Sequence, residues 1–200
     1  MKFLHELKEQ RWDDHRYYHQ SRINQSLHLI SAMSFLGAYT LLFINPVMAA
    51  FLGWVVAMVT RQIGHFFFEP KGYDEVNEAT HEHKEDIKVG YNLKRKVVLL
   101  TFWFLSPVAL YISPTFFGVF EPYIGTEGYL YNLSIIWLFL GAGALVFRTI
   151  HLFFIYDVQA GLVWFAKILT DPFHDIKIYH KSPFYLLKGE LLDPMYHVKS

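Results

Sequence analysis

The sequence predicts an all-α fold: a polytopic membrane helical bundle of about four transmembrane helices, with interfacial helices near its N-terminal and C-terminal ends. Three observations lead there. Apolar residues make up 53% of the 200 residues and charged residues only 18%, which is rich for a water-soluble domain. Four apolar stretches, Leu27–Ile44, Val47–Phe68, Val97–Ile112 and Leu133–Tyr156, approach or exceed the roughly 20 residues that cross a hydrocarbon core. The 18 Lys and Arg residues also avoid one side: Ser113–Asn132, between the last two stretches, holds Glu121 and Glu127 but no Lys, Arg or His. Cytoplasmic flanks collect basic residues. The expected protein is therefore multi-pass with both termini cytoplasmic, in a bacterial inner membrane or the endoplasmic reticulum.

The chain reads as one integral-membrane domain over residues 1–200. Residues 1–26 form a cytoplasmic amphipathic segment, with a helix expected over Phe3–Tyr18. There Phe3, Leu4, Leu7, Trp12 and Tyr18 offer apolar area, and Lys8, Glu9, Arg11, Asp13 and Asp14 offer charge, as in helices that lie in the membrane interface. Residues 27–68 form a helical hairpin. Its turn is Asn45-Pro46, because proline fits the first helical position, where no N–H is needed. Residues 69–96 form a cytoplasmic loop. It opens at the turn Pro70-Lys71-Gly72 and carries an acidic run through Asp86 that reads as a short surface helix ending near Gly90. Residues 97–156 form a second hairpin, kinked at Pro107 and lined in its last span by the small residues Gly141–Ala144. Residues 157–200 form a cytoplasmic tail with an interfacial helix over Leu162–Ile168.

Composition excludes some functions. A formal net charge of zero gives no field for nucleic acid. With no cysteine, disulfides and thiolate ligands are ruled out. The span centres are almost purely apolar, unlike those of transporters, which place polar groups at mid-membrane depth.

The 11 His residues all fall on the basic side. In Gly64-His65-Phe66-Phe67-Phe68-Glu69, His65 and Glu69 are four apart and share a helix face. Their nitrogen and carboxylate donors suit iron, manganese or zinc. In His19-x4-Asn24-x3-His28, the two histidines are nine apart. They would point to opposite faces of an unbroken helix, so both reach one metal only if the helix breaks between them. His15, four residues before His19, is a substitute. His81-Glu82-His83 chelates if extended, and His81 pairs with Glu85 if helical. His151 lies three residues after Arg148 at the depth expected for His28 and His65. Arg61 and Arg148 are the candidate holders of a substrate carboxylate. His174, His180 and His197 sit in the tail, which can fold over the site. The candidate metal set is therefore His19, His28, His65, Glu69, His81, His83 and His151. Imidazole and carboxylate donors leave positions open for dioxygen and substrate.

The motifs Tyr18-His19…Asn24…His28 and Gly64-His65…Glu69 resemble the membrane-bound 2-hydroxy fatty acid dioxygenase family, long known only as a domain of unknown function. The resemblance covers Tyr17–Pro70. It implies an iron(II)-dependent oxidoreductase that shortens 2-hydroxy fatty acids by one carbon in α-oxidation. It also implies His19, His28 and His65 as metal residues, with His19, Asn24 and Glu69 as catalytic residues. The implied partners are a fatty-acyl lipid, dioxygen and membrane lipids, with no nucleic acid; a homo-oligomer is compatible with all of this. The sequence departs from the family pattern at Gln20, at Pro70-Lys71-Gly72-Tyr73, and in a longer central loop that brings His81 and His83. Two other readings compete. A di-iron fatty-acid hydroxylase or desaturase would carry adjacent His-His pairs, which this chain lacks. A non-catalytic membrane scaffold would hold no stoichiometric iron.

The topology is directly testable. A tag near Thr126 should be accessible from outside and a reporter after Ser200 from the cytoplasm; the reverse pattern removes the orientation.

Overall fold

The computed structural model describes residues 2–195 and is all-helical, with no β-strand among them. The elements are α1 (Lys2–Tyr18), α2 (Arg22–Leu41), α3 (Pro46–Phe68), α4 (His81–Asp86), α5 (Leu93–Ile112), α6 (Gly125–Ile155), α7 (Val158–Tyr179) and α8 (Ser182–Leu187). His197 lies outside the described residues.

Three helices are long and apolar enough to cross a membrane: α3 with 23 residues, α5 with 20 and α6 with 31. At about 1.5 Å per residue each reaches at least ~30 Å. Their outward faces are apolar and exposed, including Phe102, Phe104, Phe139, Phe147 and Phe154. Faces of that kind are costly in water and stable against lipid. The expected first span lies in α2, which is 20 residues long. Its first ten residues carry Arg22, Asn24, Gln25, Ser26, His28 and Ser31, and most of these are buried inside the protein. The apolar run after them is too short to make α2 a span of the same kind.

Local chemistry sets the boundaries. Asn45 caps α3, its side chain accepting from the Met48 N–H at 3.1 Å, and Pro46 takes the first turn. Asn92 caps α5 and Asp157 caps α7 in the same way. The helix expected over Leu162–Ile168 is much longer as α7, because the Asp157 cap starts it early and Pro172 is accommodated within it. The last span also begins earlier than Leu133, since Gly125–Asn132 is already helical. The acidic run shortens to the six residues of α4, which Thr80 caps.

The outer half of the bundle is held by a tryptophan network. Trp54, Trp137, Leu110, Leu133, Ile136 and Ala50 form one buried cluster. Trp54 donates to the Trp137 carbonyl at 2.8 Å, and Trp137 donates to Ser106 Oγ at 2.9 Å. Ser106 in turn donates to the Trp103 carbonyl at 2.7 Å. That carbonyl is the one Pro107 leaves without its helical partner. The sequence places a proline inside a span, and the neighbouring serine satisfies the freed group where water is scarce.

The other half is polar and strapped. Arg22 N–H donates to the Leu191 carbonyl at 2.9 Å, and Arg22 pairs with Asp193 at 2.9 Å. The segment after α8 thus closes over the α1–α2 junction. The central loop is fastened to the α1–α2 junction by Asp74, which pairs with buried Lys84 of α4 and accepts from Gln20 at 2.7 Å. Hydrogen bonds from Asn77, the nearby Lys84 and Gln20 together hold the Asp74 carboxyl below its ordinary range, against the opposing effect of burial.

Gly161 marks a close helix contact, between α6 and α7. A Cβ there would lie 2.5 Å from the Phe153 ring and 2.7 Å from the Thr149 carbonyl oxygen. Gly161→Ala is expected to destabilise the protein by about 1–3 kcal/mol, the usual cost of overpacking, read as a lower thermal transition in detergent. An unchanged transition would show that the two helices separate freely.

Candidate metal centre and its cavity

The helix does break between His19 and His28, and the break is built from polar grips. α1 ends at Tyr18 and α2 begins at Arg22, with Ser21 as its cap. Buried Asn24 donates its amide to the Tyr18 carbonyl at 2.8 Å, and buried Gln25 donates to the His19 carbonyl at 2.7 Å. The first turn of α2 therefore holds the junction backbone whose carbonyls would otherwise lack partners. This turns His19 back onto the face that carries His28, with ring centroids 4.0 Å apart.

His65 arrives from α3. Its last turn, Gly64–Phe68, is a wider π-helical turn, and the chain leaves it extended at Glu69. Single π turns re-aim the residues that follow and recur at functional sites. Gly64 permits the approach. A Cβ there would sit 2.1 Å from Asn24 Oδ1 and 3.5 Å from His28 Cδ2. The His65 ring centroid lies 4.9 Å from that of His28 and 5.3 Å from that of His19. One potential donor atom from each of the three rings lies within 4.8 Å of the others, the only such group of three or more candidate ligands among the described residues.

The surroundings decide which nitrogen is free. His65 Nδ1 lies 2.8 Å from Glu69 Oε2. An ionised carboxylate only accepts, so Nδ1 donates and Nε2 keeps its lone pair. His19 Nδ1 lies 2.9 Å from the buried Tyr179 hydroxyl, which is also 3.2 Å from His15 Nδ1. With His19 donating to Tyr179 and Tyr179 donating to His15, His19 likewise presents Nε2. Asp175 Oδ2 stands 3.6 Å from His28 Nδ1. Neither His19 Nε2 nor either nitrogen of His28 has a hydrogen-bond partner, although all are buried. Buried imidazole nitrogens without partners are costly, and a divalent cation is a partner of the right kind. Burial, then the neighbouring His28, Arg61, His15 and Lys167, push the His19 imidazole well below its ordinary range, so it stays neutral, as a ligand must. The donor set therefore fits an ion such as iron(II), whose imidazole ligands are commonly held by carboxylates or other acceptors from behind.

The other expected residues lie elsewhere. Glu69 backs His65 and also faces Lys88 at 3.6 Å. Asn24 holds the helix break, with its Oδ1 left against Gly64. Arg61 is committed to Asp175 at 3.2 Å but does line the cavity described below. Arg148 is buried and donates to the Val89 carbonyl at 3.1 and 2.5 Å, with His151 Nδ1 at 2.8 Å from it. Arg148 and His151 thus secure the loop and do not join the histidine cluster. His81 and His83 sit in α4, outside the cluster, and His83 is exposed. Their loop still contributes: Ile87–Tyr91 forms part of the cavity wall. Spacing does not reveal Tyr179 or Asp175, because α7 meets the site from more than 100 residues away.

A cavity of about 310 Å³ opens beside His65. Its lining divides along α3 and α5: Trp54, Met58 and Leu99, which belong to or pack on the buried tryptophan cluster, form an apolar inner end with Ala144 and Leu145. The opposite end, called the mouth, carries the cations Arg61, Lys88, Lys96 and Lys167, with Asp13 and Asp14 on the α1 side. A pocket with an apolar body and a few convergent charges is the form expected for a small-molecule site.

No family model, curated protein or solved structure matches the chain.

Gly64→Ala should dismantle the centre. Its Cβ cannot occupy the space of Asn24 Oδ1, so α2 and α3 must separate. Expected outcomes are at least about a tenfold loss of metal affinity and retained helicity by circular dichroism. Wild-type metal binding would mean that the close approach is not needed.

Proposed function

We propose that the protein is a membrane-embedded iron(II)-dependent dioxygenase that acts on 2-hydroxy fatty acids and shortens them by one carbon. The observation that carries this reading is the set of three buried imidazoles with unpartnered nitrogens, beside a cavity that is cationic at its mouth and apolar within. The resemblance in Tyr17–Pro70 supplies the substrate class. In this reading four helices lie in the membrane, α2 included, and both termini are cytoplasmic. The single imidazole trio suits one ion better than two.

The chain's own residues have definable tasks. His19, His28 and His65 would hold the ion, which when bound supplies the one-electron chemistry that makes dioxygen reactive. Glu69 and Tyr179 fix the ring directions of His65 and His19 by accepting their Nδ1 protons. Asp175, pinned by Arg61, stands behind His28. Burial raises the Asp175 carboxyl above its ordinary range, although Arg61 and Lys167 oppose this. The apolar cavity wall excludes water from the alkyl chain, and the cationic mouth receives the carboxylate. The 2-hydroxy group then lies next to the imidazole cluster.

Iron quantification with oxygen uptake on 2-hydroxypalmitic acid tests this reading. Wild type should hold stoichiometric iron and consume oxygen. His28→Ala and His65→Ala should each lose both, by more than the roughly 10–100-fold that hydrogen-bond partners of ligands carry, while remaining folded in the membrane. His5→Ala should be silent, since His5 is exposed and among the described residues pairs with the likewise exposed Glu9. Iron and turnover retained in His28→Ala would defeat the assignment of the site, and a wild type without stoichiometric iron would favour the scaffold.

A further inference from the structure

Four cations line the cavity mouth, and three are already neutralised. Arg61 pairs with Asp175 at 3.2 Å. Lys88 pairs with Glu85 at 3.0 Å and lies 3.7 Å over the Tyr18 ring. Lys167 binds Asp14 and, at 2.8 Å, Asp171. The fourth, Lys96, is half-buried near the start of α5, and its ammonium makes no direct hydrogen bond or ion pair among the described residues. The carboxylates nearest in charge, Glu69 and Glu85, act on it from beyond contact and are both paired with Lys88. An ammonium facing an apolar-walled cavity with no direct partner favours an anionic ligand.

The helices around it give the cavity a direction. α3 and α5 approach the mouth from opposite ends of their sequences. His65 and Lys96 lie at the mouth. Trp54, 11 residues before His65, and Leu99, three residues after Lys96, lie deeper. The α3 wall from His65 to Trp54 is at most about 16 Å long, the 1.5 Å rise of an α-helix being an upper bound because Leu52–Met58 and Gly64–Phe68 are wider π turns. At its far end Gly141 of α6 leaves the space against Trp54 open, since a Cβ there would be 3.7 Å from that ring.

Building on the fatty-acid reading, we propose that Lys96 is the carboxylate anchor of a single-chain acid, whose alkyl chain runs inward along α3 and ends at Gly141 beside Trp54. The shared chemistry is one anionic head on one long chain. The unsatisfied ammonium, the three neutralised neighbours and the depth of the apolar wall carry the assignment. It gives the head-binding role to Lys96 instead of Arg61 or Arg148, whose guanidinium groups are spent on Asp175 and the Val89 carbonyl.

The test uses metal-free full-length protein in detergent and brominated palmitic acid, whose bromine quenches tryptophan on contact; Trp54 and Trp164 both line the cavity. Lys96→Met should weaken binding of the acid at least about tenfold, the usual weight of a charge-assisted contact. It should leave binding of the methyl ester unchanged, and Lys96→Arg should restore the acid. Gly141→Leu should weaken the sixteen-carbon acid and spare the eight-carbon acid. Unchanged acid binding in Lys96→Met, equal loss of acid and ester, or tighter binding of a single-chain phosphate than of the carboxylate would each overturn the anchor. Equal loss of both chain lengths in Gly141→Leu would overturn the direction of the chain. Lys96-dependent acid binding by a protein that neither holds iron nor consumes oxygen would remove the dioxygenase and keep the anchor. Iron-dependent turnover with unaltered acid affinity in Lys96→Met would do the opposite.

Discussion

The polar half of the molecule depends on the contact between Gly64 of α3 and Asn24 of α2. At that point a hydrogen atom stands where any side chain would strike the Asn24 amide. The same amide donates to the Tyr18 carbonyl and so holds the end of α1. One buried residue thus fixes the break between α1 and α2, while the residue facing it sets the distance between α2 and α3. His19, His28 and His65 come from three segments, and their proximity follows from those two constraints. The wide final turn of α3 and the return strap at Leu191 and Asp193 reinforce the same geometry from either side.

Around this contact, charge is neutralised in a continuous shell. Asp14, Lys167, Asp171, Arg61 and Asp175 lie in sequence through the interior, each facing an opposite charge. Burial alone would pull the Lys167 ammonium down, but Asp14 and Asp171 outweigh it and hold the group above its ordinary range. Buried charges persist only when paired and hydrogen-bonded. The shell therefore ties α1, α3 and α7 together and surrounds the imidazoles with fixed dipoles instead of mobile water. The outer half contains none of this. There the Trp54 and Trp137 N–H groups, the Ser106 hydroxyl and backbone carbonyls, the one freed by Pro107 among them, satisfy one another, while the buried Trp103 N–H has no hydrogen-bond partner among the described residues. The division between the halves matches what water and hydrocarbon each permit.

Much of the fold was legible in the chain. Apolar run length marks α3, α5 and α6, because a helix in hydrocarbon must be both long and uniformly apolar. Asn45-Pro46 marks the hairpin turn, and the amphipathic pattern of Phe3–Tyr18 marks α1 to within a residue. The spacing also posed the right question of the site: His19 and His28 can meet only across a helix break, and the break is present. The status of α2 was less legible. Its apolar second half reads as a span, whereas the buried polar residues of its first half are satisfied by protein partners that no local pattern announces.

The sequence by itself determined which residue types could bind a metal and on which side of the bundle they would gather. Those properties depend on composition and on the position of charges relative to apolar runs. Only the tertiary structure decided which histidines meet. His151 and His65 carry the same chemistry, yet one turns to Arg148, which holds the loop carbonyl at Val89, and the other faces His28. It also decided that Arg61 and Arg148 are occupied while Lys96 is not, and it brought Tyr179 and Asp175 to the back of the rings. The physical reason is that counter-charges and ring partners come from α7 and from the central loop, far away in sequence. Spacing along one helix carries no information about what packs against it.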